Sequence, residues 1–374
     1  MTKKIAFCAD HPIFQQNKIL QAKLAGKSPD TAWAAIFAKL AKQKNFETQT
    51  GDIALANIKS GNWNPGDTLI IQLLDASDGN KLAKLGAMQF VLIGPESPLY
   101  AYNFYRDLKK IAPAFRHRLL FSGIYKTFKS HPGENHTFHF PSFQKENILP
   151  LKKWSTRKFL VMVAANKYYK KNFPQIPAYK TEHFDLIHDR LLTWQSPIRK
   201  EAQKGELITK RLEAIEYFGS QNLLHLFGPD WDKLNNLPIK WQKRLKKMLE
   251  KLKLKSIKRE DKFEKIAGFK FAICFENTQY PGYVTEKIID CFTAGVIPIY
   301  LGAPDITKFV PAGSFIDMRH FNSFGKLHKY LTNISQKEAL RIILKGRDFL
   351  KSPKGQLYNH EVMAKFLLNL VLKK

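Results

Sequence analysis

The sequence predicts an α/β protein of two domains facing each other across a cleft, and three observations point there. Short apolar runs alternate with helix-patterned segments along the whole chain. At 374 residues, 44% hydrophobic and 13% aromatic, the chain is too long for one ordinary core. The stretch from His131 to Lys153 is polar, carries Pro132, Pro141 and Pro150, and shows no periodicity, so it reads as a linker. The expected division is 1–152, then 153–350, with a helix over 351–374 packing back on the first domain.

In the first half, Lys4–Cys8, Thr68–Leu74, Met88–Ile93 and Arg118–Phe121 read as strands. Ser28-Pro29-Asp30 reads as a helix start by cap-then-proline chemistry, with Trp33, Ile36, Phe37 and Leu40 on one face. The second half restarts with a strand over Lys158–Ala164 and a helix over Glu206–Phe218. A strand over Leu223–Phe227 and a basic helix follow. Then come the strand Phe269–Phe275, a polar loop, a helix from Glu286 to Ala294 and the strand Val296–Leu301. Gly295 stands where a helix C-terminus wants a left-handed residue. The tail Gln356–Leu372 is again helical in pattern.

The net charge of +29 favours polyanions: nucleic acid, an anionic membrane face or phosphate-bearing substrates. Its densest part runs from Lys240 to Lys253, where Trp241, Leu245, Met248, Leu249 and Leu252 fall at helical spacing among lysines. Such a helix either lies on an anionic membrane surface or buries its stripe and solvates its lysines. No run approaches the roughly 20 apolar residues of a membrane span. The N-terminus opens as a strand and not as a signal peptide. The three cysteines, Cys8, Cys274 and Cys291, suggest neither a disulfide framework nor a zinc site, so the expected setting is reducing and cytoplasmic.

In open parallel sheets, ligands gather at the carboxyl ends of strands, and two post-strand loops carry the chemistry. After Phe275 the chain reads Glu276-Asn277-Thr278-Gln279-Tyr280-Pro281-Gly282-Tyr283-Val284-Thr285-Glu286-Lys287. Thr285 is a candidate N-cap, and the helix start it opens would attract phosphate through unpaired N–H groups and the helix dipole. Lys287 adds a full charge, Glu286 suits vicinal ribose hydroxyls, and Tyr283 can pack on a nucleotide or sugar. An ordinary capped helix with solvated ends is the competing reading. After Ile93, Glu96 lies three residues beyond a buried strand and is the candidate base that takes a proton from an attacking hydroxyl.

The run from Phe271 through Val296-Ile297-Pro298-Ile299-Tyr300-Leu301-Gly302-Ala303-Pro304 resembles the donor-binding block of the α-1,3-fucosyltransferases, glycosyltransferase family 10. Three further segments resemble that family in the same order. Gly94-Pro95-Glu96-Ser97-Pro98 resembles its catalytic-glutamate loop, with Gly94-Pro95 a departure from the commoner pattern. Val161-Met162-Val163-Ala164-Ala165-Asn166 resembles its strand ending in asparagine. Glu206–Ile215 resembles the helix that carries its donor-binding arginine. The resemblance implies a GT-B architecture of two Rossmann-like domains and an inverting, metal-independent transfer. Fucose, or a related sugar, would pass from a GDP donor to a glycan hydroxyl. It further implies Asn166, Arg211, Asn277, Tyr283, Glu286 and Lys287 as donor residues, with Arg211 and Lys287 on the pyrophosphate.

No cofactor is expected beyond the GDP-sugar, which is a substrate. The expected partners are that donor, a glycan acceptor such as a surface polysaccharide or lipopolysaccharide precursor, and an anionic membrane surface met by the basic 240–258 segment. No specific nucleic acid is expected. The runner-up is a non-catalytic basic binding protein for nucleic acid or anionic polysaccharide on the same fold. Asp230-Trp231-Asp232 is formally a metal-diphosphate motif but sits in a strand-end turn and is set aside. The eleven histidines show no metal-ligand spacing; His117, His131, His136 and His139 read as solvated loop residues.

Overall fold

The computed structural model describes residues 3–21, 31–127, 133–166, 204–237, 239–252 and 261–373. The chain forms two compact units. The first takes Met1–Glu96, Ala101–Gln144 and Gln356–Lys374; the second takes Ser97–Tyr100 and Lys145–Gly355.

The first unit is built on a parallel sheet of six strands: β1 (Lys3–Cys8), β2 (Phe46–Thr50), β3 (Thr68–Leu73), β4 (Met88–Ile93), β5 (His117–Leu120) and β6 (Glu134–Thr137). They lie in the order β2-β1-β3-β4-β5-β6. Strands β1, β3 and β4 read as mostly apolar runs because a parallel sheet is covered on both faces. Ile5, Phe7, Ile70, Phe90 and Leu92 are accordingly buried. The helix Ala32–Lys42 lays Trp33 and Phe37 against Phe7, with ring centroids 5.9 and 5.2 Å away. The helix His360–Leu372 packs on Ala32–Lys42 within the same unit. The Ser28-Pro29-Asp30 start lies outside the described residues.

The stretch read as a linker from His131 contains β6, which pairs in parallel with β5. Its sequence, Glu-Asn-His-Thr, is polar because it is an edge strand and mostly exposed, so no apolar alternation marks it. Strand β2 and the helices Gly51–Lys59 and Ser77–Lys84 also form without having been expected from the sequence.

The second unit repeats the plan with β7 (Lys158–Val163), β8 (Leu224–Phe227), β9 (Phe269–Phe275), β10 (Ile297–Leu301) and β11 (Ile316–Asp317). All pair in parallel in the order β11-β10-β9-β7-β8. Both units are thus Rossmann-like, as the GT-B class requires. In each sheet the strand order reverses once, between β1 and β3 and between β7 and β9, and those switch points are where ligands bind in this architecture.

The basic helix forms over Ile239–Lys251, and its two readings separate. Trp241, Leu245, Met248 and Leu249 are buried in the core of the second unit beside Leu212, Ile215 and Phe218. Lys243, Lys246 and Lys247 are exposed. The apolar stripe is therefore spent on the body of the protein and is not offered to a bilayer. The part of the segment beyond residue 252, up to 258, lies outside the described residues.

Candidate functional site

Strand β9 ends at Phe275, and the backbone continues its pairing one step further: the Glu276 N–H donates to Leu301 O at 2.8 Å. That step carries the Glu276 side chain into the interior, where it is fully buried. A Cβ on Gly302 would come within 2.5 Å of Glu276 Cγ and 2.4 Å of the Tyr300 hydroxyl, so only glycine leaves this room. A buried carboxylate needs partners. Glu276 accepts from the Thr285 N–H at 2.9 Å and from the Thr285 hydroxyl at 2.7 Å, and pairs with Lys287 Nζ at 3.1 Å.

This corrects the expected helix start. Thr285 holds the N-cap position of Glu286–Ala294, yet its side chain makes no capping bond. Its hydroxyl is turned to Glu276, and its N–H is taken by the same carboxylate. A protein carboxylate thus already meets that N–H at the helix entrance. Glu276 is the residue of this candidate site that sequence reasoning missed: one acidic residue at a strand end carries no pattern, and its partners are nine and eleven residues away.

Lys287 has all three of its donors engaged: Glu276, Thr285 Oγ1 at 2.9 Å and Glu286 Oε1 at 3.3 Å. Burial works against its charge, but Glu276 and Glu286 outweigh that and raise its pKa. Burial also pushes the Glu286 carboxyl up, and the Lys287 and Lys262 cations more than reverse it, holding it at about 2. Below them, Lys262 pairs with Asp290, and Cys274 Sγ lies 3.1 Å from Cys291 Sγ. A cavity of about 30 Å³, lined by Val163, Cys274, Glu286 and Lys287 among others, has room for about one water.

Arg211 sits one turn into the helix Ile208–Ser220. The Glu206 carboxylate accepts the N–H groups of Ile208 and Thr209 at 2.8 and 3.1 Å, and Leu207 N–H donates to Asn277 O at 3.0 Å. The helix start is thereby tied to the loop after β9. Buried at 4% exposure, Arg211 donates from Nε to Phe275 O and from Nη2 to Asn277 Oδ1, each at 3.0 Å. Asn277 passes the chain on, donating from Nδ2 to the Tyr283 hydroxyl at 3.2 Å. Tyr283 is 1% exposed, so its ring braces the loop from inside and is not an open face for a base or sugar. Asn166 follows β7 across the switch point. It donates from Nδ2 to Asp230 O at 3.0 Å, while its buried Oδ1 has no partner among the described residues.

The structure therefore gathers Arg211, Asn277 and Tyr283 into one chain of hydrogen bonds, and Glu286 and Lys287 into a second around Glu276. Both are rooted in the loop after β9. Asn166 belongs to the same switch point through β7. Asp230 is backbone-strained, at φ 67°, and its carboxylate is paired with Lys233 at 2.6 Å.

Glu96 belongs to the first unit and follows β4. The loop is held by Tyr105, whose hydroxyl donates to Glu96 O at 2.8 Å and lies 3.3 Å from Gly94 O. Gly94 N–H extends the strand pairing to Leu119 O at 2.9 Å. The half-buried Glu96 side chain thus stands on a fixed backbone at the carboxyl end of the sheet. Asp75 accepts from Asn80 at 2.8 Å, and Asp78 pairs with Lys81 at 3.4 Å. Burial first, then the Asp78, Asp10 and Asp52 carboxylates, push the Cys8 thiol up, which marks an acidic end to β1.

The histidines correct an expectation. His117 is buried and His136 half-buried on neighbouring strands, not solvated in loops, and His139 is held at about 4 by burial. His131 lies outside the described residues.

Residues 242–342 match the family model for glycosyltransferase family 10 (fucosyltransferase), C-terminal part. An alpha-(1,3)-fucosyltransferase of Helicobacter pylori is 34% identical over 105 residues, 28% of this chain and 22% of that protein. A mouse 4-galactosyl-N-acetylglucosaminide 3-alpha-L-fucosyltransferase 9 is 38% identical over 77 residues, 20% of this chain and 21% of that protein. The matches span about a fifth of the length of these relatives. Among solved structures, a sucrose-phosphate synthase from Thermosynechococcus elongatus superposes at a TM-score of 0.58 with 11% identity, covering 99% of this chain and 98% of that one. That likeness is one of fold. By sequence, the chain resembles the α-1,3-fucosyltransferases of glycosyltransferase family 10, and residues 242–342 match the C-terminal part of that family.

Proposed function

We propose that the chain is an inverting glycosyltransferase that moves fucose, or a related sugar, from a GDP donor to a hydroxyl of a glycan acceptor. One observation carries this reading. The segment that matches the family is the segment that builds the loop and helix at the switch point of the second sheet. Support comes from the residues gathered there. Loss of the sugar leaves GDP with added negative charge, and fixed cations stabilise such a leaving group without a metal. Arg211 retains Nη1, which makes no hydrogen bond among the described residues. A diphosphate reaching Lys287 competes with Glu286 for its ammonium, and that exchange frees Glu286 to accept from ribose hydroxyls.

Glu96 serves as the base that removes the acceptor hydroxyl's proton as the anomeric carbon becomes oxocarbenium-like. The acceptor class is a surface polysaccharide or lipopolysaccharide precursor, met in the cytoplasm at an anionic membrane face. Among the described residues no helix is long and apolar enough to cross a membrane, which agrees with attachment by charge. The test is an assay of purified protein across GDP-sugars, scored by acceptor-dependent release of GDP. Release from GDP-fucose is the expected result. No turnover of any GDP-sugar, together with no calorimetric binding of GDP, would overturn the reading.

A further inference from the structure

Strands β5 and β6 run in parallel with His117 opposite Glu134 and Leu119 opposite His136. Side chains two apart on a strand share a face, so this register puts Glu134 and His136 together beside His117. His117 Nδ1 and His136 Nε2 lie 3.3 Å apart, and Glu134 Oε2 stands 3.5 Å from the first and 3.7 Å from the second. The triangle is nearly equilateral.

Hydrogen bonding explains it poorly. The two contacts to Glu134 are too long for good bonds, and the rings can share only one N–H between them. Zinc ligation explains it well. A tetrahedral ion with bonds of about 2.0–2.1 Å holds its ligand atoms about 3.3–3.4 Å apart. We infer that His117, Glu134 and His136 form a zinc-type divalent metal site with two imidazoles, one carboxylate and a fourth position for water.

The surroundings suit this. Burial, opposed only in part by Glu134, lowers the pKa of both histidines. The rings are steered by aromatic edges, His117 by Phe90 at 5.0 Å and His136 by Phe366 at 5.2 Å. The buried Arg118 donates from Nε to Asn135 Oδ1 at 2.8 Å and from Nη1 to Ala112 O at 3.2 Å. Two nitrogens with one carboxylate favour zinc over magnesium or calcium, which want oxygen ligands.

Two of the three ligands, His117 and Glu134, open β5 and β6, and in this fold ligands gather at the carboxyl ends. Its role is therefore structural. It clamps a polar edge strand that has little apolar surface to hold it. The inference does not rest on the proposed activity, and its test does not use it.

Full-length protein stripped with EDTA and desalted is titrated with zinc chloride by calorimetry and followed by thermal melting. One zinc per chain and a rise in melting temperature are expected, with no rise on adding Mg²⁺. His136→Gln and Glu134→Gln, both outside the core, should each weaken binding roughly tenfold or more and remove the rise. Because His117 is buried, His117→Ala can fail to fold and serves only as a third variant. Cobalt(II) should give the intense visible bands of a tetrahedral site in the native protein and not in the two Gln variants. Absence of stoichiometric zinc binding, or binding unchanged in both Gln variants, overturns the site.

Discussion

Glu96 is the most exposed point of the proposed chemistry to a single substitution. Glu96→Gln keeps shape and hydrogen bonding but cannot take a proton at neutral pH. Transfer should fall by roughly two to four orders of magnitude, the usual worth of a general base. GDP affinity by calorimetry should stay near that of the native protein, because the proposed donor residues belong to the other unit. Retention of both would move the search to Asp75 and Asp78.

Arg211 and Lys287 are not equivalent, and their variants should differ. Lys287→Ala leaves Glu276 buried with an uncompensated charge, so it should lower both donor affinity and thermal stability. Arg211→Ala loses contacts to Phe275 O and Asn277 and should loosen the loop as well as weaken GDP binding, by about 1.5–3 kcal/mol for a charge-assisted contact.

The carboxyl of Glu286 has a pH consequence. Its folded value of about 2 lies below the ordinary 4.5, so its contribution is present above pH 4.5 and is lost as pH falls towards 2. In paired thermal melts, the gap between native protein and Glu286→Gln should be constant near neutrality and close over that acid window. A gap that is independent of pH would contradict the ion pair.

Among the elements, the helix Glu286–Ala294 ends on Gly295 at φ 69°. A Cβ there would lie 2.3 Å from Leu151 Cδ2 and 2.7 Å from Arg347 Nη2. Gly295→Ala combines backbone strain with overpacking and should cost about 1–3 kcal/mol, read as a lower denaturation midpoint. The basic helix Ile239–Lys251 has given its apolar stripe to the core, so any attachment to anionic vesicles must be electrostatic and salt-sensitive. Screening over about 8 Å at physiological salt should weaken it clearly. Exchanging Lys243, Lys246, Lys247 and Lys251 for Gln should abolish co-sedimentation with anionic vesicles and leave turnover of a soluble acceptor intact. Co-sedimentation that persists in the variant counts against that surface.

At the scale of the molecule, +29 charges serve either a phosphate-bearing substrate or a polyanion. Retention on immobilised GDP with release by free GDP supports the former; retention on heparin with release by salt alone supports the latter. Turnover, measured well below the unfolding temperature, should survive EDTA without rescue by Mn²⁺, since in the proposed reaction cations of the protein replace the ion. Restoration by Mn²⁺ would return attention to Asp230 and Asp232.

Much of the architecture was legible because parallel strands covered on both faces announce themselves: Met88–Ile93 and Phe269–Phe275 stand where their apolar runs put them. Gly295 and the helix before it were legible because capping chemistry is local. The polar strand β6 was not, since an exposed edge strand is held by pairing with β5 and not by its own pattern. The family resemblance singled out Arg211, Asn277 and Lys287 from one dimension. What each side chain touches came only from the tertiary structure. Glu276 gains meaning when Thr285 and Lys287 close on it, and His117, Glu134 and His136 meet only through the β5–β6 register. Periodicity and caps are properties of neighbouring residues and survive in sequence; a buried charge or a ligand triangle is a property of distances, which only the folded chain sets.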